Sequence, residues 1–484
     1  MRYALIYFFL LHFCFARSQV RFNTNTPIGI DTTMDIGVNV IELKNHNFLS
    51  CGVSNSLFNP SRAAYLVKIK DNGDTLWRKQ FNFSGRGLNA FTDLKELPDS
   101  NYLLVGTVYD TLIQNNDVFL AKIDTGGTLI WIKKYIHIDN DESNTIKITP
   151  DNKVIIIGNS SPNPNTTYND VLLIKTDING NLIWRKRFGD IYEEQYFTIE
   201  ILKNNTEYVL GGMHGYYITG DPYFDMSIMR TDTAGNIIWQ QQYGTAADET
   251  AGCAIQTLDS GFVLSGTYNS SGALLKLDKS GNQKWIKNYG FPADSYIRCV
   301  KQLPDSSFAF ITSYTYAPTN SFTGFLNKTD KNGNLLWQRV YPGPTTIPNY
   351  FFGFNTTSDK GFIMTGQYNH IGQPYQNMWL VKTDSLGCDS VTCSYVTELR
   401  EMNYELRDGF EVYPNPNNGL LTINSESDFT KVELLSITGQ ILLSETVDSK
   451  THQLELQNFA EGIYFVRVSY ADEQSVTKKV ILSR

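Results

Sequence analysis

The sequence predicts an all-β chain: a seven-bladed β-propeller of four-stranded blades, followed by a small Ig-like β-sandwich. Three observations predict it. A turn pattern, Asp-x-x-Gly-x-x-x-Trp, recurs at intervals of 46–55 residues. A second pattern, a polar turn then a short apolar strand then Gly, keeps the same beat. The composition is aromatic (13%) and poor in charge (19%), which suits pleated, half-buried surfaces. A period near 50 residues with four strand-like runs per period is the mark of a radially repeated sheet.

The chain opens on Arg2 and an apolar run from Ala4 to Phe15, then Ala16-Arg17-Ser18. That order predicts a signal peptide spanning residues 1–18, cleaved after Ser18. The run is too short to cross a bilayer, and no later segment approaches 18 uninterrupted apolar residues. No transmembrane segment is therefore expected.

The propeller is expected over residues 19–393. Full copies of the turn are Asp124-Gly127-Trp131, Asp177-Gly180-Trp184, Asp232-Gly235-Trp239, Asp278-Gly281-Trp285 and Asp330-Gly333-Trp337. An earlier copy has Lys70, Gly73 and Trp77. A later one has Asp384 and Gly387, with Val391 in the Trp place. The Asp side chain bonds the following backbone, and Gly takes positive φ. Each Trp falls on the outermost strand, where it packs between neighbouring blades. The last blade lacks that Trp. Residues 20–35 resemble the segment after each Trp, with Arg21-Phe22-Asn23 matched to Arg187-Phe188-Gly189. They are expected to supply the closing strand; residues 390–396 are the rival.

Five cysteines would remain after cleavage: Cys51, Cys253, Cys299, Cys388 and Cys393. Export permits disulfides. Cys388 and Cys393 are close enough in sequence to bridge, and Cys253 and Cys299 hold equivalent repeat positions. None has CxxC spacing, so a zinc ribbon is not expected.

Residues 394–409 read as a charged linker. From Phe410 to Arg484 about seven short alternating strands predict the small sandwich. Its motifs are Tyr413-Pro414-Asn415-Pro416 with Gly419, the Thr438-Gly439 turn, Gly462-Ile463-Tyr464-Phe465-Val466, and Lys478-Lys479-Val480-Ile481-Leu482. This stretch resembles the type A sorting domain of the type IX secretion system of Gram-negative bacteria. The resemblance implies recognition by the type IX secretion translocon and release or attachment at the outer-membrane cell surface, by way of the periplasm. The propeller repeats are similar to uncharacterised propellers that precede such domains. Their turn is also similar to the tryptophan docking motif of quinoproteins, where it is a structural device, so no quinone follows.

A net charge of −8 without basic runs disfavours nucleic-acid binding. The six histidines share no repeat position and no HExxH spacing. There is no Gly-x-Ser-x-Gly elbow and no phosphate-binding loop. No catalytic or cofactor-binding residues are therefore assigned. The innermost strands begin with a polar series: Asp35, Asn89, Asp141 with Glu142, Glu193 with Glu194, Asp248 with Glu249, Asp294 and Asn349. These are expected to ring one channel mouth, either as strand-capping acids or as a site for calcium or sugar hydroxyls. Tyr216, Tyr217, Tyr223, Phe224, Tyr314, Tyr316, Tyr350, Phe351 and Phe352 are expected in inter-strand loops, as a contact surface or as loop packing. The reading that follows is an exported binding or adhesion protein for a glycan or protein. Its alternative is a carbohydrate-active hydrolase or lyase using Asp248, Glu249 and Asp294.

Overall fold

A computed structural model describes residues 21–483, apart from 27–32, 57–58, 85–86, 163–167, 190–191, 219–220, 246–247, 290–294, 317–320, 342–347, 371–375, 391–409, 437–440 and 471–474. The signal segment and linker lie outside the described residues. The chain divides into two compact units, residues 1–397 and 398–484.

The first unit is a β-propeller of antiparallel quartets, each wound from the innermost strand outward. The first quartet is Thr33–Glu42, Phe48–Ser56, Asn59–Ile69 and Thr75–Phe81. Five separate four-stranded sheets follow, with innermost strands Asn89–Glu96, Asn140–Ile148, Glu194–Ile201, Thr250–Gln256 and Tyr296–Gln302. Tyr350–Thr356, Phe362–Asn369 and Gln376–Thr383 then take their outer partner from the other end of the unit: Phe22–Thr26 pairs antiparallel with Gln376–Thr383. A single parallel pairing, Met34 with Gln376, joins this quartet to the first.

The closing strand is N-terminal, as expected, but in a different register. Phe22 stands opposite Lys382, as Trp337 stands opposite Lys328 and Trp285 opposite Lys276. Phe22 therefore fills the Trp place and not the place of Phe188, four residues later. Its surroundings agree. Phe22 meets Phe48 edge-on at 5.7 Å, as Trp285 meets Phe308 at 6.2 Å and Trp337 meets Phe362 at 6.3 Å.

These aromatic rings explain the turn glycines. Asp330 accepts hydrogen bonds from the Asn332 and Asn334 N–H groups, and Gly333 takes φ +78°. A Cβ on Gly333 would lie 2.8 Å from Trp285 of the preceding quartet. Trp337 crowds Gly387, Trp184 crowds Gly235, and Phe22 crowds Gly73 in the same way; at Gly281 the crowding side chain is Gln241. The turn is both a bend and the floor of the next ring's seat.

Every innermost strand has a bulge, for example between Tyr196 and Thr198, and its free edge leaves alternate backbone N–H groups without a ladder partner. The preceding quartet satisfies several of these donors. Ile146 N–H bonds Asp93 at 2.9 Å, Ala254 N–H bonds Thr198 at 2.9 Å, and Val300 N–H bonds the Cys253 sulfur at 3.1 Å. Cys253 thus does the work of Asp93 and Thr198. Cys51, Cys253 and Cys299 are free thiols, and Cys388 is disulfide-bonded. Its expected partner, Cys393, lies outside the described residues.

Among the described residues the second unit has five strands, where the sequence suggested about seven: Glu411–Tyr413, Leu420–Leu435, Ile441–Glu455, Gly462–Tyr470 and Ser475–Leu482. Two of them, of 16 and 15 residues, continue where the sequence suggested breaks. All belong to one sheet. That sheet nearly closes, because Asn417 bridges Leu482 in parallel. The core is Leu421, Ile423, Phe429, Val432, Leu434, Leu454, Val466, Val468 and Val480, all buried.

Candidate functional site

The innermost strands have a leading end, where the chain arrives from the previous quartet, and a trailing end, where it turns into the second strand. The sequence placed the candidate site at the leading end. There Asp35, Asn89, Asp141 and Glu249 are fully buried, and Glu194 is 4% exposed. Asp248 is exposed, and Asp294 lies outside the described residues.

The buried members share a register, two residues before the bulge, which also takes in Ser295 and Asn349. Most of their hydrogen bonds run to the loop or strand beside them. Asn89 accepts from Phe83 N–H and donates to the Arg62 carbonyl. Glu249 accepts from Thr245 and Asn269 N–H. Gly272 N–H bonds Ser295, and Asn369 N–H bonds Asn349. Asp141 takes Arg185 on both oxygens at 2.9 Å, and Glu194 lies 3.1 Å from His214. Burial holds Asp141 above the usual carboxylate range despite Arg185. Among the described residues no three His, Cys, Asp or Glu side chains are grouped to hold a metal.

The aromatic candidates stand mainly in strands, not loops. Tyr216 and Tyr217 pair with Tyr223 and Pro222 in a long hairpin. Tyr314 is buried and stacked on Phe325 at 4.1 Å, and Phe351 is stacked on Trp379 at 4.3 Å. Tyr350, Phe351 and Phe352 lie in an innermost strand. Tyr316 belongs to the strand Phe308–Tyr316.

The trailing end is different, and sequence reasoning passed over it. Here side chains at the strand ends reach between quartets. Lys44 N–H bonds Glu96, Lys203 N–H bonds Gln256, Leu258 N–H bonds Gln302, and Ser358 N–H bonds Glu42, at 2.6–2.9 Å. At the other three seams the donor position is Pro98, Pro150 or Pro304, which has no N–H. The facing residues there are Ile148, Ile201 and Thr356 in place of Glu or Gln. A donor N–H stands opposite Glu or Gln at four seams and a proline opposite Ile or Thr at the other three, a pairing visible in the sequence once the repeats are aligned.

Between these latches lies a cleft of about 970 Å³. Its wall includes Lys203, Lys301, Lys328 and Lys360 against only Glu200 and Asp305, with Gln256, Gln302, Thr356 and Ser358 between. Lys328 is paired with Asp305 at 3.3 Å, and Glu200 is paired with Lys147 at 2.8 Å. Among the described residues Lys301 and Lys360 have no carboxylate partner in direct contact. Burial works against the Lys301 charge, but Cys299, Glu200, Cys253 and Asp93 outweigh it and hold its pKa above the ordinary lysine value. Lys301 shares its register with Lys95, Lys147 and Glu200, two residues beyond the bulge. Burial lowers the Lys95 pKa, and repulsion from Lys147 and Lys301 adds to the effect while Asp93 opposes it. Lysines from three quartets thus face one channel.

In the second unit the motif residues tie the last strand down. Ile481 N–H bonds Asn415 at 2.8 Å, Asn417 N–H bonds the Ile481 carbonyl at 2.8 Å, and Ser483 N–H bonds the Asn417 carbonyl at 2.9 Å. The Tyr413–Pro414 and Asn415–Pro416 bonds are cis. Gly419 takes φ +117° and accepts from Leu456 N–H. Tyr464 donates to the Ala460 carbonyl, and Lys478 lies over the Phe410 ring at 5.5 Å. Gly462 opens its strand opposite Leu482, and Lys479 pairs with Phe465. Asn417, which the motif reading left out, is the most connected of the set.

Residues 411–483 match the family of secretion system C-terminal sorting domains. No curated protein matches the sequence. Among solved structures the chain is similar to PorZ, a bacterial surface component of the type-IX secretion system of Porphyromonas gingivalis (11% identity, TM-score 0.40). The match covers 90% of this chain and 58% of PorZ, so the chain spans a little over half of that protein's length. It is also similar to an α-L-arabinanase of Penicillium chrysogenum complexed with arabinobiose (15% identity, TM-score 0.42, covering 76% of this chain and 97% of that one). A third is the β-propeller domain of the Trilobed protease of Pyrococcus furiosus (11% identity, TM-score 0.42, covering 76% and 100%). The sorting tail marks the chain for the type IX machinery, and so for the cell surface or secretion by way of the periplasm and outer membrane. No helix among the described residues is long and apolar enough to cross a membrane.

Proposed function

We propose that this chain is an exported binding protein: a seven-bladed propeller over residues 19–393 that presents a ligand face, delivered by the Ig-like sorting domain over 410–484 after loss of the signal peptide 1–18. The observation that carries the reading is the open cleft at the trailing end of the innermost strands, whose partly apolar wall carries lysines, amides and hydroxyls. Ligand sites are concave and carry a few convergent polar groups on a rigid scaffold. At the leading end Asn89, Asp141 and Glu249 are engaged by loops and by Arg185, which favours a structural role for them. Glu249, one of the acids an enzyme would need, holds Thr245 and Asn269.

The test is a glycan array probed with the purified full-length chain, with and without calcium, followed by product analysis on every hit. Binding without turnover is expected. Turnover would replace the binding module with a hydrolase or lyase. Silence on the array would leave a protein as the ligand to be sought.

A further inference from the structure

The chain as a whole is acidic, with a net charge of −8, yet the cleft is cationic. Four lysines line it against two carboxylates. One of those carboxylates is matched by Lys328 within the wall, the other by Lys147 from the channel. Lys360 at the rim has no carboxylate ion-pair partner among the described residues, and Lys301 at the inner end has none in direct contact, Glu200 and Asp93 acting on it at longer range. Lys203 donates to the Thr257 carbonyl at 2.9 Å and keeps its charge beside them. A cationic concavity in a protein of opposite net charge concentrates anions. The space between the lysines is walled by the amides of Gln256 and Gln302 and the hydroxyls of Thr356 and Ser358, with Leu258, Pro304 and Phe362 beside them. Amides and hydroxyls pair with sugar hydroxyls, and short apolar patches suit sugar ring faces.

We infer that the cleft takes an anionic glycan, a chain whose carboxylates meet Lys301 and Lys360 while its hydroxyls meet the Gln256 side-chain N–H and the Thr356 hydroxyl. This rests on the binding-protein reading and names its ligand class.

The experiment is calorimetric titration of the full-length chain with polygalacturonate oligomers and with the same oligomers fully methyl-esterified. The ester keeps the sugar backbone and removes the charge. The acid form is expected to bind at least tenfold more tightly, with an advantage that shrinks as salt rises. Lys301→Gln and Lys360→Gln are each expected to weaken binding of the acid form by about tenfold, the weight of one charge-assisted hydrogen bond. Lys360 is exposed in a turn, so its variant folds even if the Lys301 variant does not. Equal binding of acid and ester overturns the charge inference and leaves a glycan-binding protein. Binding of neither form, on a chain that binds other glycans on the array, also overturns the inference. Binding of neither on a chain silent across the array overturns the inference and the glycan reading together.

Discussion

At the leading ends of the innermost strands the polar side chains are buried and bonded to neighbouring loops and strands. At the trailing ends the polar side chains stand at the surface, latch one quartet to the next, and surround a lysine-lined cleft. Both ends repeat around the ring, and both read as polar in the sequence. The difference lies in what covers them. The loop that arrives from the previous quartet folds over the leading end and claims its acceptors, as Phe83 and Thr245 do. The trailing end is only a tight turn, too short to cover anything. A repeat fold therefore buries its polar residues where loops are long and keeps them, latches included, at the surface where turns are short.

The contrast is broken most directly at Asp141. Asp141→Ala leaves Arg185, 17% exposed, without its bidentate partner and with only Asp139 at 3.3 Å and Ser160 at 3.2 Å. Because Asp139 stays beside the guanidinium, a loss of about 1–2 kcal/mol in urea-denaturation stability is expected, with ligand binding unchanged. An intact stability, or a selective loss of binding, would move the ligand site back to the leading end.

Titration sharpens the contrast, because the two ends respond to pH with opposite sign. Burial pushes the Asp117 carboxyl, near the leading end, up to about 6, although His137 N–H bonds it. A carboxylate raised in the folded state binds its proton more tightly there than in the unfolded chain. Its ionisation therefore costs stability that is lost as pH rises from about 4 to about 6. Asp117→Asn should gain about 1–2 kcal/mol at pH 7, and the gain should vanish by pH 4. Asp259, in a trailing-end turn, goes the other way. Burial opposes its charge, but Thr257, Lys276 and Gly261 N–H outweigh it and bring the carboxyl to about 2. Its contribution is present above about pH 4 and is lost as pH falls toward 2. Thermal melts of Asp117→Asn and Asp259→Asn across pH 2–7 read both signs.

Smaller effects are expected at the latches. Gln302→Ala removes the acceptor of Leu258 N–H in a half-exposed setting. About 1 kcal/mol is expected, together with weaker ligand binding, because the same amide lines the cleft. Pro98→Ala, at a seam that has no acceptor, should leave binding unchanged. The smallest change is Lys360→Gly. Lys360 holds φ +68°, a conformation that glycine adopts freely. A gain of about 0.5–1 kcal/mol is expected beside the loss of ligand affinity, so stability and binding separate in one variant.

The repeat, its turns and the Trp seats were legible in the sequence because Asp, Gly and Trp each do one local job at fixed spacing. Ring closure by the N-terminal segment was legible too. Its register was missed because Phe22 does the work of a Trp, and Arg21-Phe22-Asn23 looks like the later Phe188 segment. The leading-end series was found by position, but burial is a property of the covering loop and has no pattern in the series itself. The cleft was missed for another reason. Lys203, Lys301, Lys328 and Lys360 hold four different places in the repeat, so no periodicity joins them until the ring does. In the second unit the motif residues were found, but the long strands Leu420–Leu435 and Ile441–Glu455 were divided at residues that the sheet carries through.

The central claim is that ligand is held at the trailing ends of the innermost strands. Hydrogen-exchange mass spectrometry of the full-length chain, with and without a saturating bound glycan, tests it most directly. Protection is expected in the turns 202–206, 256–260, 302–306 and 356–361, with 88–90, 248–250 and 295–296 unchanged. Protection confined to those leading-end segments would contradict the account.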